Sequence, residues 1–485
     1  MIYKKNINKK TVLFVINLIQ MTSCIAFGVL NSSLMIYMND QLNYSVFLSA
    51  VITGNFFSYS YFLNSLGGWL SGRLFTNRHL FVIGQVLQII SFIPMIFSLN
   101  KYFLAGLGLY ITGIGLNTVC INNMITYLYD ADQKTDSDNA FFLNYAFICI
   151  GMIVGTYYAG NFNESNNFAF PFIIGLAGNI IAVIIVIFYW GCFFDRGSEI
   201  ITLKPEKRNI NIFYGYLLVV ILSFVMIFLM NNRFASNVIL ISVSIFILIS
   251  VVYITIKNKI PAQKNKLIAF NVFFILLLVN GFLYILGPVI LIYFIENNVR
   301  LNIFNLNLAP QWFMNINSIV LILGTPFMIW VLDYFKKKGI KILTTGFLLS
   351  SGILFSGTGF MVITFGIKHA GETGIVLPGY LIVSIALQTV GELLSTPIGY
   401  SMIGHLIPEK MQSYFMGIVL MAYGISSMFV TGISGYLIPG DGHMARFITN
   451  EIYYRSFLTI TVISILISLV MFLFMPKLNK LSDEY

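Results

Sequence analysis

The chain has 485 residues, 58% of them hydrophobic and 9% charged, with a mean hydropathy of +0.85. A soluble globular protein carries about 25% charged residues, so the composition excludes one and points to a polytopic membrane protein. The net charge of +10 does not point to nucleic acid, because the basic residues sit in short loops between apolar runs, where orientation signals belong.

Lys4, Lys5, Lys9 and Lys10 precede an apolar run from Val12 to Tyr37. That run is too long for a signal-peptide core, so a retained first helix is expected. Crossing the hydrocarbon takes ~20 apolar residues. On that scale fourteen spans follow, near 12–38, 46–70, 79–99, 103–128, 140–160, 168–193, 212–230, 237–256, 267–295, 313–332, 342–366, 376–403, 413–438 and 454–475. Alternating the loops between two sides leaves Lys101, Arg233, Arg300, Lys368, Arg446 and Arg455 on one side and the other 22 of the 28 Lys and Arg on the opposite side. The positive-inside rule then places both termini in the cytoplasm. No loop can hold a soluble catalytic domain and no Walker loop occurs, so neither an enzyme nor an ATP-driven pump is expected. The cysteines and histidines give no metal-ligand spacing, and no cofactor is expected.

Within the spans, glycine and proline mark bends, close packing and moving parts. Tyr61 and Asn64 lie three residues apart on one face of the second span, which ends at Gly67-Gly68. Gly113 and Gly115 on the fourth invite a close neighbour. Gly287-Pro288 interrupts the seventh core span, and Pro326, Pro378 and Pro397 are expected to break later ones. Glu392 is read as the one charge inside an apolar segment. An ionised carboxylate at bilayer depth costs at least ~2.5–3.5 kcal/mol, so its default reading is a functional site for a proton or a cation; the alternative is a neutral Glu bonded between helices. Gln388, Glu392 and Ser395 fall at i, i+4 and i+7, which predicts one polar face toward the bundle interior. Pro397 leaves a backbone carbonyl without its donor one turn earlier.

The run Gly391-Glu392-Leu393-Leu394-Ser395-Thr396-Pro397-Ile398-Gly399, followed by Pro408-Glu409-Lys410 and Met416-Gly417, resembles the proton-dependent oligopeptide transporter family. Tyr61…Gly67-Gly68-Trp69-Leu70…Arg73 resembles the end of that family's second helix, and Ala309-Pro310-Gln311-Trp312-Phe313…Asn317 the entry to its eighth. The resemblance implies an all-α membrane protein of the major facilitator fold, with fourteen helices arranged as six, two and six. The N-terminal half would be 1–195, the linker with two extra helices 196–266 and the C-terminal half 267–485. It implies proton-coupled uptake of di- and tripeptides or peptide-like amines across the bacterial inner membrane by a monomer, with no nucleic-acid partner. Glu392 would receive the amino group and a proton, Tyr61 and Asn317 would line the pocket with Asn64, Gln388 and Ser395, and Gly287, Pro288 and Pro397 would serve as kinks.

The family's other motif positions are not matched. Its first-helix Glu-x-x-Glu-Arg aligns with Ile19, Thr22 and Ser23, its fourth-helix lysine with Thr118, a fifth-helix asparagine with Cys149, its seventh-helix Glu-Gln with Ile285-Leu286, an eleventh-helix Trp with Val419 and a loop aspartate with Gly72. With no Arg or Lys within the spans, a ligand carboxylate would lack a buried cationic partner. Coupling is therefore expected to differ from the family's. A transporter of a carboxylate-free organic cation and a non-transporting sensor or scaffold stand as alternatives.

Overall fold

Long apolar runs without internal charge can satisfy their backbone in lipid only as helices, and the computed structural model forms fourteen helices of that kind among its described residues. These residues are 8–97, 99–129, 134–163, 169–193, 198–303, 306–338, 343–371, 374–408, 411–437 and 446–482. Lys4, Lys5, Arg196, Glu409, Lys410 and His443 lie outside them. The helices are α1 Lys9–Asp40, α2 Val46–Leu70, α3 Asn77–Ile96, α4 Phe103–Thr126, α5 Lys134–Asn163, α6 Ala169–Phe188 and α7 Pro205–Asn231. They continue with α8 Arg233–Lys257, α9 Pro261–Asn298, α10 Pro310–Lys337, α11 Thr345–Lys368, α12 Pro378–Leu406, α13 Gln412–Leu437 and α14 Arg446–Ser482. A two-residue antiparallel pair, β1 Asn302–Ile303 with β2 Leu306–Asn307, closes the loop after α9.

Several elements differ from the sequence expectation. Pro378 opens α12 at its first turn instead of breaking it, because a missing N–H costs nothing there. Both α10 and α12 run unbroken through Pro326 and Pro397. Gly287-Pro288 does not end α9 either: Gly287–Leu291 form a π-helical turn and the α-helix resumes from Ile292 to Asn298. Helix α14 begins eight residues before the expected span, where Glu451 and Arg455 form an i, i+4 ion pair of 2.7 Å that supports its first turns.

The chain divides into two compact units. The first holds residues up to Leu34 together with Tyr59–Ser236. Its helices meet backbone to backbone at glycines: a methyl on Gly113 would strike the Gly84 carbonyl oxygen, and one on Gly115 the Leu63 side chain. Neutral side chains pair in its interior. Asn144 Nδ2 donates to Asn17 Oδ1 at 3.0 Å and Gln85 Nε2 to Ser23 Oγ at 2.6 Å.

The second unit holds Met35–Ser58 and the chain from Asn237 onward. Its tightest pair is α11 against α12. A methyl on Gly352 would come within 2.8 Å of the Gly391 carbonyl oxygen, and one on Gly359 within 2.7 Å of that of Ser384. This contact fixes the rotation of α12: Gly391 faces α11, and the next residue, turned by about 100°, is Glu392.

Candidate functional site

Glu392 is partly buried and turned toward α10, where Asn317 Nδ2 donates to its Oε2 at 2.8 Å. The same amide reaches Thr389 Oγ1 at 3.1 Å, one turn earlier on α12. Thr389 in turn donates its hydroxyl to the Ile385 carbonyl at 2.8 Å, so it can only accept from Asn317. Carboxylate and hydroxyl thus both require the amide's NH₂ end. The carboxylate is held by a neutral donor: α10 before its terminal lysines, α12 before His405 and all of α13 contain no Lys, Arg or His.

A second polar contact follows one turn further along α12. Thr396 Oγ1 and Tyr423 Oη of α13 lie 2.5 Å apart, and the Tyr423 ring meets the Tyr284 ring of α9 edge-on at 5.9 Å. Tyr284 stands three residues before the π turn, a feature frequent at functional sites. Tyr400, two turns beyond Glu392, is within electrostatic reach of its carboxylate. The site of the second unit is therefore Thr389, Glu392 and Thr396 on one helix, met by Asn317 and Tyr423 from its neighbours.

The expected polar face of α12 is displaced by this geometry. Ser395 is 1% exposed, sits against Gly352 of α11 and gives its hydroxyl to the Gly391 carbonyl at 2.9 Å. Gln388 packs on Gly359 and donates to Ser384 Oγ at 3.0 Å. Both side chains lie toward α11, because the i, i+4, i+7 set straddles the boundary between two contacts. Thr396 and Tyr423 were missed; the spacing Thr389, Glu392, Thr396, at i, i+3 and i+7, was the available signal. Tyr61 and Asn64 belong to the first unit. Asn64 is 6% exposed and its Oδ1 has no hydrogen-bond partner.

Glu392 is not the sole charge inside a membrane helix. Because the π turn lets α9 continue, Glu296 falls within its last turns, partly buried and within electrostatic reach of Asp40 at the end of α1. That end of α9 is tied to α14 by Asn298 Nδ2, 2.8 Å from both Thr449 Oγ1 and Asn450 Oδ1. The positions aligned with the family's charges are closed without charge: Thr22 bonds to Leu18 and Ile19 carbonyls at 3.0 Å, Thr118 bonds to Ile114 at 3.2 Å, and Ile19 and Ile285 are fully buried.

The POT family model matches residues 75–439. Among curated relatives, the dipeptide and tripeptide permease A of Cronobacter turicensis is 25% identical over 462 residues, covering 93% of this chain and 89% of its own length. The protein of the same name from Escherichia coli K12 is 24% identical over 460 residues, covering 93% and 89%. Among solved structures, a peptide transporter POT in complex with sulfate superposes with a TM-score of 0.83 at 18% identity, covering 98% of this chain and 100% of the other. A tetrameric PepTSo2 gives 0.84 at 15%, with the same coverage. The fold is the major facilitator fold.

Proposed function

The chain belongs to the POT family, and on that premise we propose that it imports di- and tripeptides and peptide-like amines across the bacterial inner membrane, driven by protons. The observation that carries this reading is the Glu392–Asn317 pair, an anionic group on a neutral donor. A carboxylate that accepts from an amide can also accept from a peptide's ammonium group. The same oxygens accept a proton, so proton and amine compete for one group, and the carboxylate need never stand bare in the membrane. Tyr61 and Asn64 are kept in the proposal as substrate-binding residues, and Gln388 and Ser395 contribute through the position of α12. The relatives favour neither an organic-cation exchanger nor a sensor.

Coupling differs from the family's Glu-Arg arrangement, because Ile19, Thr22 and Ser23 can hold neither a proton nor a counter-charge. The six, two and six division, cytoplasmic termini and a monomeric transport unit belong to the same reading. The test is uptake of a labelled dipeptide into liposomes under an inward proton gradient. Free and C-terminally amidated dipeptides should both compete, and N-acetylated ones should fail. Loss of a charge-assisted hydrogen bond is worth about 1.5–3 kcal/mol, so N-acetylation should weaken binding by about 10- to 100-fold. Normal competition by N-acetylated peptides with failure of amidated ones would sink the assignment.

A further inference from the structure

On the premise that the chain is a proton-driven importer, we propose that Asp40 and Glu296 hold one proton between them, forming a second proton-binding site whose proton travels with the peptide. At Glu392 proton and amine exclude each other, so that group alone would send a proton outward for each amine carried inward. An inward proton gradient drives import only through a proton bound elsewhere, where its binding and the peptide's favour the same state. Both carboxylates belong to the second unit. Asp40 is exposed at the end of α1, open to water, and Glu296 is partly buried in the last turns of α9. Glu296 lies in the field of Asp40, and Tyr293, one turn before it, lies in the field of both. Two carboxylates repel when both are ionised, and one bound proton removes the repulsion.

A second observation comes from α14. The Tyr453 hydroxyl interacts with Glu296 and Tyr293, yet the side chain is fully buried and its oxygen has no hydrogen-bond partner among the described residues. Its ring is fixed by Phe294, edge-on at 4.9 Å, and by Phe457, stacked at 5.6 Å. Packing alone leaves that hydroxyl unsatisfied; a carboxylate that has released its proton, or a water bringing one, completes it. Among the described residues no third His, Cys, Asp or Glu joins the pair, so it offers too few oxygens for a divalent cation, which takes about six or more. Neither carboxylate has an ion-pair partner among the described residues. In the last turn of α1 the other titratable group is Tyr37, and after α9 comes the exposed Arg300. On α14, Arg446 gives its Nε to the Asn297 carbonyl at 3.1 Å and Glu451 is paired with Arg455 at 2.7 Å. The first turns of α10 bring no titratable group. Helix α9 joins this site to the other: Tyr284, whose ring meets Tyr423, stands about 18 Å from Glu296 along the helix, with the π turn between them.

The experiment measures accumulation of a labelled dipeptide by the full chain in liposomes under an inward proton gradient, beside dipeptide affinity in titration calorimetry. Glutamine mimics the protonated acid, so Glu296→Gln should bind dipeptide as wild type does at acid pH. It should lower driven accumulation by about tenfold or more, within the usual range of coupling between two sites. Asp40→Asn removes the neighbouring charge that favours the proton, and the pH midpoint of driven uptake should move toward acid by about one unit. Tyr453→Phe removes the donor that favours the ionised carboxylate, and the midpoint should move the other way. No accumulation by wild type would overturn the import reading and the proposal with it. Equal accumulation by wild type and Glu296→Gln would overturn the proposal alone. So would unchanged pH profiles in Asp40→Asn and Tyr453→Phe, which decide the matter even where Glu296→Gln fails to fold. Accumulation driven by a sodium gradient alone would also overturn it, making the pair a metal-cation site.

Discussion

Asn317 donates directly to Glu392. Its amide spans two acceptors on α12, Glu392 at 2.8 Å and Thr389 at 3.1 Å. Replacing it with leucine keeps the volume and removes both bonds. The carboxylate then loses a donor worth about 1.5–3 kcal/mol, in a site without Lys, Arg or His on the facing helices. Asn317→Leu should fold, and should weaken dipeptide binding by about 10- to 100-fold in titration calorimetry; unchanged affinity would show that the amide only positions α10. Glu392→Gln separates charge from shape. It should retain a near-native melting temperature and lose pH-dependent uptake, whereas retained uptake with an unchanged pH profile would remove Glu392 from the mechanism. At this scale the sequence spoke clearly about Glu392, because a carboxylate in an apolar run has no cheap structural explanation. It was silent on Ser395 and Thr396. Adjacent hydroxyls differ by about 100° in direction, and only the glycine contact with α11 decides which of them reaches a neighbour.

The α11–α12 pair shows how an element carries the site. Gly352, Gly359 and Gly391 let two backbones approach so closely that added methyl groups have no room. Gly352→Ala places its methyl 2.8 Å from the Gly391 carbonyl oxygen, and overpacking of this kind costs typically 1–3 kcal/mol. The variant should melt several degrees lower and bind peptide more weakly, because α12 must turn or shift and take Glu392 away from Asn317. A lowered melting temperature with unchanged affinity would uncouple the contact from the site. Gly287 gives the opposite case. It has helical φ, and a methyl there meets nothing within 4 Å. Alanine is favoured over glycine in a helix by up to ~1 kcal/mol, so Gly287→Ala should stabilise the resting structure. If the π turn moves during transport, turnover should fall while the dissociation constant stays fixed; equal turnover would make the turn a static feature. The glycine-proline pair was visible in the sequence as a break. The helix instead absorbs it with one wide turn, because the residues after it, Val289 to Ile295, are apolar and buried.

The whole molecule was the most legible level, since bilayer thickness dictates span length independently of side-chain detail. All fourteen spans form as helices of the expected order, and the ends that moved did so for local reasons: Pro205 at the first turn of α7, the ion pair of α14, the π turn of α9. Glu296 was misread because a charge near the end of an apolar run looks like the start of a loop. Orientation follows from a different force. Lysines and arginines resist crossing during insertion, and 22 of 28 fall on one side when the loops alternate. A single missed or invented helix would exchange the sides of every loop after it, and the asymmetry would collapse, so charge and span count constrain each other. The loop after α5 should therefore lie outside and the turn before α9 inside. A periplasmic-active reporter fused after Gly160 should be active and one fused after Ile260 inactive, with a cytoplasm-active reporter giving the reverse. An active periplasmic reporter at Ile260 would invert the second half of the topology and place the four lysines of that turn on the outer surface, against the side set by the remaining charges.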